Sequence, residues 1–288
     1  MIIAHNEFGI LEKLIRLLDH PENDIFIHID KKAKDFDSLR YASSVTNASL
    51  KFIRRRNVSW AAYSIIQATM DLLVEATKTR HAYYHLLSGV DLPIKDHRFI
   101  MDFFERNSGR EFMGIHRSAY ASSAIDDRIR YYHLFQEYRS RERAGANRML
   151  EKAGYLSVRI QKALGVDRIR QHGIDHYKGD AWFSITHDFA EYVLSRRREI
   201  ERNYRWTQCS DESVFQTLAM ASNFRERIVE TSLRFIDWDR GRPYTFTADD
   251  YETLIGSEFL WARKFSEAKD SGIVRKIYRT FAEDQNSV

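Results

Sequence analysis

Met1-Ile2-Ile3-Ala4-His5-Asn6 and Asp24-Ile25-Phe26-Ile27-His28-Ile29-Asp30 frame the segment that decides the fold. Each is a largely apolar run that ends on polar residues, as a buried strand does when it reaches its turn. Between them Ile10, Leu11, Leu14, Ile15, Leu17 and Leu18 recur at helical spacing, and His20-Pro21 closes that helix. Strand, helix and strand in this order make a β-α-β unit. Because Met1 already stands on the first central strand, a few residues are expected to be missing from the start.

The alternation continues with a short strand at 50–53, a long helix from about Trp60 to Thr77, and a strand at 83–87. A helix through Glu105 and a strand at 111–115 follow. A basic, helical insertion around 120–170 interrupts the pattern. A strand at 181–185, a helix from His187 to about Arg197, a helix from Asp211, a strand at 233–236 and a helical, peripheral end from Ser266 complete it. The expected fold is α/β, with a mostly parallel central sheet flanked by helices. Such sheets bind ligands beyond the carboxyl ends of their strands, which nominates His5, Asp30 and the turn Ser88-Gly89-Val90-Asp91. Neither a GxGxxG fingerprint nor a P-loop occurs.

The chain has 288 residues, 43% hydrophobic and 13% aromatic, enough for a large core. Three prolines and no low-complexity tract argue against linkers, and one domain over 1–288 is expected. Cys209 is the only cysteine, which excludes an intramolecular disulfide and a zinc site built on several thiolates. No apolar run is long enough to span a bilayer and no signal peptide is evident, so a cytoplasmic protein is expected, with peripheral contact to the inner membrane face as an option. The net charge of +4 is concentrated partly between Arg128 and Arg170, where Arg139, Arg141, Arg143, Arg148, Lys152, Arg159, Lys162 and Arg168 outnumber the acids. Such a stretch is either a solvated helical face or a surface for phosphates, an anionic acceptor or a membrane. Nucleic acid is not an expected partner, because the net charge is small and no nucleic-acid motif is present.

The stretch Cys209-Ser210-Asp211-Glu212-Ser213 carries the chemistry. Ser210 reads as an N-cap, and Asp211 and Glu212 as the first turn of a helix anchored by Val214, Phe215, Leu218 and Ala219. Acids in a first turn commonly do no more than complement the helix dipole. Their surroundings in the sequence change that reading.

Ile3-Ala4-His5-Asn6, His28-Ile29-Asp30-Lys31-Lys32, Ser88-Gly89-Val90-Asp91-Leu92-Pro93-Ile94-Lys95, Gly179-Asp180-Ala181-Trp182-Phe183, Ser210-Asp211-Glu212 and Phe259-Leu260-Trp261-Ala262-Arg263-Lys264-Phe265 follow one another in order. In that order they resemble the core 2/I-branching β-1,6-N-acetylglucosaminyltransferases and the related peptide O-xylosyltransferases, over nearly the whole chain. The resemblance implies a GT-A-like (Rossmann-like) fold, with a nucleotide-sugar half at 1–115, an acceptor and catalytic half at 116–265, and a tail at 266–288. It also implies inverting transfer of a sugar, GlcNAc or xylose, from a UDP-sugar to an acceptor hydroxyl of a glycan or peptide.

Under that resemblance Glu212 is the catalytic base and Asp211 its neighbour and runner-up. Inversion needs a base on the acceptor oxygen as it attacks the face opposite the leaving UDP. The departing diphosphate would be met by Lys264 and by Arg242, with Arg240 competing for the second place, and no metal or other cofactor is expected. Asp237-Trp238-Asp239 is an Asp-x-Asp string, and it falls too late in the chain for a donor-metal motif. Asp30 matches a uracil or ribose contact, with Ala4 and His5 beside the base, and Ser88 and Asp91 line the same pocket. Trp60 either packs on the donor or is a core aromatic at a helix start. Asp180 and Trp182 resemble acceptor or sugar-pocket residues, Trp182 being alternatively plain core, and Gly179 permits close backbone approach. Arg128, Arg130, Tyr131 and His133 either reach the acceptor, with Arg128 the candidate for its pocket, or form helical surface, which is the default reading. Arg263 reads as a solvated surface charge. The animal enzymes' membrane anchor and disulfides are not seen, so a bacterial-type relative building a surface glycan is expected. The alternative is a non-catalytic nucleotide- or glycan-binding module on the same fold.

Overall fold

The computed structural model describes residues 1–116, 123–138, 146–173 and 175–285. Arg139, Arg141 and Arg143 of the basic stretch lie outside the described residues, as does the side chain of Arg148. The chain opens with β1 (Ile2–Ala4), α1 (Phe8–Leu17), β2 (Asp24–Ile29), α2 (Ser38–Ala42), β3 (Ser49–Phe52) and α3 (Tyr63–Ala76). It continues through β4 (Tyr83–His85), β5 (Leu87–Ser88), β6 (Leu92–Pro93), α4 (His97–Arg106) and β7 (Glu111–Met113). Three helices, α5 (Ser123–Arg130), α6 (Ala146–Ala163) and α7 (Arg168–His172), form the expected insertion. Then come β8 (Phe183–Thr186), α8 (His187–Ser195), α9 (Arg197–Tyr204), α10 (Val214–Met220), β9 (Ile228–Val229) and β10 (Arg234–Ile236). The last elements are α11 (Tyr251–Gly256), β11 (Trp261–Arg263) and α12 (Glu267–Gln285), the last broken at Asp270.

The sheet that the opening sequence encodes is parallel throughout, in the order β3-β2-β1-β5, with Ala4 opposite Ile29. Alternation along its strands sorts the faces. Ile25, Ile27 and Ile29 join a core with α1 and α12, whereas Phe26 points to the opposite face and packs in a second core with α3. The tail packs into the first core, with Ile273, Val274 and Ile277 fully buried.

Beyond that sheet the pattern is mixed. β4-β8-β7-β9 contains antiparallel pairs at β4/β8 and β7/β8, and β6 runs antiparallel to β11 in β10-β11-β6. The run expected as one strand at 83–87 divides: β4 pairs with β8 and β5 with β1, so this segment joins two sheets. Arg234 occupies the join. Its guanidinium is 2% exposed and donates to the carbonyls of Leu86 (3.0 Å) and Phe183 (2.9 Å), the Ser232 carbonyl, and Ser184 Oγ (3.0 Å). It also stacks on Trp261, and burial lowers its pKa to about 9. Arg234→Met keeps the apolar contact but removes donors from buried carbonyls. It is expected to cost about 3 kcal/mol or more, read as a lower urea midpoint with an unchanged slope.

Candidate active site

The carboxyl edge of the parallel sheet gathers the first group of residues. Asp30 follows β2 and lies beside the end of β1, its amide donating to the Ala4 carbonyl at 2.9 Å. Its carboxylate accepts from the amides of Lys32 (2.9 Å) and Val58 (3.4 Å), so it orders the loop that leads toward Trp60. His5 is exposed at the same edge. Trp60 is 58% exposed and precedes α3, which rules out its reading as a core aromatic.

That loop reaches the carboxylate turn. The Cys209 amide donates to the Ala61 carbonyl at 2.9 Å, and both residues are left-handed, at φ 50° and 59°. Non-glycine residues hold this conformation only where packing imposes it, and such strain collects at functional sites. Ser210, Asp211 and Glu212 form a separate 3-10 turn, and Ser213, whose backbone is non-helical at φ −142° and ψ −35°, divides it from α10. The expected single helix with Ser210 as N-cap is therefore corrected: α10 begins at Val214, and the Ser210 hydroxyl makes no hydrogen bond. Glu212 lies 3.5 Å from Arg128 Nη1 and 3.7 Å from Lys178 Nζ, beside a shallow cleft lined also by Gln208 and Cys209.

Asp211 has a different environment. Burial, reinforced by the neighbouring Glu212 charge, raises its pKa to about 7. At that pKa Asp211 is divided between its protonated and ionised forms near neutral pH. The folded chain therefore binds more protons than the unfolded chain between the ordinary Asp pKa of 3.8 and about 7. Stability should fall as pH rises through this window and level off above it. Asp211→Asn is expected to flatten that fall, so its thermal midpoint relative to the unsubstituted chain should rise between pH 4 and pH 8. An equal offset at both pH values would show that Asp211 does not titrate there.

On the other side of Glu212 the backbone closes tightly. The Gly179 amide donates to the Glu212 carbonyl at 2.8 Å, and a Cβ at Gly179 would sit 1.6 Å from the Gly114 carbonyl oxygen. Only glycine fits this crossing. Asp180 follows, 3.0 Å from His116 Nε2, while Gln216 Nε2 donates to its carbonyl at 2.6 Å. Burial alone would raise the Asp180 pKa, but hydrogen bonds from His116 and Ser232 and the charge of Arg234 hold it below the ordinary value. The hydrogen bond to Asp180 in turn raises the pKa of His116.

Trp182 carries the contact chain onward, since Arg263 lies 4.1 Å over its ring. Arg263 is not a solvated surface charge, as the sequence reading had it. Its side chain is 15% exposed and faces Asp91 at 3.6 Å, in the turn after β5. Asp91 is fully buried and accepts from the Ser88 amide (2.8 Å) and hydroxyl, so this pair orders the turn and offers a ligand little surface. Gly89 packs against Ala4, and the Phe265 amide donates to the Val90 carbonyl at 3.0 Å. Lys264 thereby stands beside the carboxyl edge of the sheet. Its amide faces the Tyr244 carbonyl at 3.4 Å, which brings the 242–244 segment alongside.

Arg240 and Arg242 differ in their partners. Arg240 is bound to Asp237 (2.6 Å) and Asp250 (2.7 Å) and stacks on Tyr244, whereas Arg242 is exposed. Among the described residues neither Arg242 nor Lys264 makes a side-chain ion pair. Asp237 also accepts from the amides of Asp239 and Arg240 at 2.9 Å, which commits the Asp-x-Asp acid to closing a turn. Among the described residues His20, Glu22 and His97 form a group of ligating types, but the two imidazoles stack at 3.6 Å in a packing arrangement, not a chelating one. A second cavity is lined by His85, Lys95, His97 and Trp261 near the end of α1, away from the Glu212 turn.

Of the expected acceptor-side cations, only Arg128 meets Glu212. Arg130 pairs with Asp167, Tyr131 is buried, and His133 bonds the Asp127 carbonyl at 2.9 Å. Lys178 and His116 went unnoticed in the sequence. The one available signal was their type: Lys178 immediately precedes Gly179-Asp180, but nothing local announces that it turns toward Glu212.

A family model described as Core-2/I-Branching enzyme matches residues 1–260. Xylosyltransferase 2 of Rattus norvegicus is 22% identical over 250 residues, 83% of this chain and 26% of that protein. N-acetyllactosaminide beta-1,6-N-acetylglucosaminyl-transferase of Homo sapiens is 24% identical over 199 residues, 67% of this chain and 44% of that protein. The chain thus spans about a quarter of the length of the xylosyltransferases it matches. The crystal structure of mouse Xyloside xylosyltransferase 1 in its apo form overlaps 91% of this chain and 96% of its own, with a TM-score of 0.40 and 8% identity, too loosely to carry an argument.

Proposed function

The chain belongs to the Core-2/I-branching enzyme family, and from that premise we propose that it is a glycosyltransferase acting through Glu212 on a UDP-sugar, with GlcNAc or xylose transferred to an acceptor hydroxyl. The observation that carries this reading is that Arg263, next to Lys264, contacts both Asp91 and Trp182, while Gly179, in the same segment as Trp182, donates its amide to the Glu212 carbonyl. These contacts tie the segment of Lys264, a cation with no ion pair among the described residues, to the Glu212 carboxylate turn.

In the proposed mechanism the uridine lies at the edge formed by Ala4, His5 and Asp30, with Trp60 exposed nearby for stacking. Glu212 accepts the acceptor proton while the oxygen attacks the anomeric carbon from the face opposite the diphosphate, which inverts the configuration. Arg128 and Lys178 hold Glu212 in place. Lys264 and Arg242 take up the charge that grows on the leaving UDP, a role a divalent cation fills in many nucleotide-sugar enzymes. The commitment of Asp237 to its own turn supports a metal-independent reading. Asp91 and Arg263 act as positioning residues that keep Lys264 at the sheet edge. A GT-A-like arrangement, one domain with a nucleotide-sugar half before residue 116 and an acceptor half after it, and a role in a bacterial surface glycan belong to the same proposal.

Calorimetry with UDP in excess EDTA tests the donor side. Binding that is unchanged by added manganese is the expected result. Binding that appears only with manganese would replace the cationic reading with a metal site.

A further inference from the structure

We propose that the exposed face of α6 is a docking surface for an anionic lipid bilayer. Met149, Ala153, Leu156, Ile160 and Leu164 recur every three or four residues, so they share one face of a helix that Leu164 extends by donating its amide to the Ile160 carbonyl at 3.0 Å. That face is not turned inward. Met149 is 78%, Leu156 57%, Ile160 51% and Leu164 75% exposed. The side held by the protein is a different one: Gly154 is buried, and Gln161 clasps the Tyr132 amide (2.7 Å) and carbonyl (2.8 Å).

Single exposed apolar side chains need no explanation, but four large ones in a continuous stripe mark a contact surface. The charges beside the stripe select the occupant. Lys152 and Arg159 flank it, both are exposed, and neither makes an ion pair among the described residues. An apolar stripe bordered by unpaired cations is the pattern of a helix lying in a membrane interface, with the apolar side chains among the acyl chains and the cations at lipid phosphates. A protein partner or a second copy would have to answer the cations with acids of its own.

The surface is also connected to the Glu212 cleft. Lys162 on α6 pairs with Asp127 on α5 at 2.6 Å, and α5 carries Arg128 against Glu212. Docking through α6 would therefore hold the acceptor side of the cleft near the bilayer. This last consequence rests on the proposed sugar transfer, whereas the docking surface does not.

The test is co-sedimentation of the whole chain with phosphatidylcholine vesicles, with and without phosphatidylglycerol. Binding is expected only with the anionic lipid, and should weaken when salt is raised from about 0.1 M to about 1 M. Leu156→Glu with Ile160→Glu should lower it at least roughly tenfold, and Lys152→Glu with Arg159→Glu by a similar factor. All four positions are exposed, and unchanged circular dichroism would verify folding. Failure to bind either vesicle, or equal binding by the Leu156→Glu, Ile160→Glu variant, would overturn the proposal. So would a dimer in sedimentation equilibrium that this variant converts to monomer, since the stripe would then be a contact between copies.

Discussion

Glu212→Gln is expected to lower sugar transfer about a thousandfold while leaving UDP affinity nearly unchanged. Gln keeps the size of the side chain and can still accept the hydrogen bond from Arg128 at 3.5 Å, although it loses the ion pair with Lys178 at 3.7 Å. It cannot take up a proton at neutral pH, and removal of the acceptor proton is the step assigned to this position. UDP affinity should survive because the proposed diphosphate cations, Lys264 and Arg242, stand at the other end of the contact chain. Parallel measurement of kcat and of UDP binding separates the two functions. Full transfer activity in this variant would remove Glu212 from the base role.

Lys264→Ala should reduce turnover by roughly a hundredfold to a thousandfold, the range for deleting one preorganised donor to a developing negative charge. The effect should also reach UDP affinity, because the diphosphate is charged before reaction as well as during it. Backbone contacts with Tyr244 and Phe246 do not depend on the side chain, so folding should be retained. The ammonium has no ion pair among the described residues that its loss would disrupt. Lys264→Arg, which restores the charge with a different geometry, should recover part of the loss. If Lys264→Ala left kcat and UDP binding unchanged, the diphosphate would have to lie elsewhere.

The opening β-α-β unit was legible in the sequence because its signals are local: an apolar strand, a helical stripe, a proline and a second strand all fall within thirty residues. The division of 83–88 between two sheets was not, because Tyr83 to Ser88 is apolar enough for a single strand and the choice of partner is made by β1 and β8. Asp211 and Glu212 stood out as adjacent acids before an amphipathic run. Their separation from α10 depends on Ser213, whose non-helical conformation nothing in its immediate neighbours requires. Arg263 was misread for a related reason. An arginine beside a lysine near the end of a strand looks solvated, and only the fold brings Asp91 and Trp182 to it across long stretches of chain. Lys178 and His116 likewise acquire their places through tertiary contact. Gly179 was readable in kind, as a site of close approach, though not the carbonyl of Gly114 that it approaches.

The central claim is that this site turns over a UDP-sugar through protein side chains alone. Its most direct test is UDP release from UDP-GlcNAc and from UDP-xylose, each with an acceptor panel, by the unsubstituted chain in excess EDTA. The account predicts sustained UDP release, dependent on acceptor, from at least one of the two donors. UDP binding without turnover of either donor would contradict it and favour a nucleotide-binding module on the same fold.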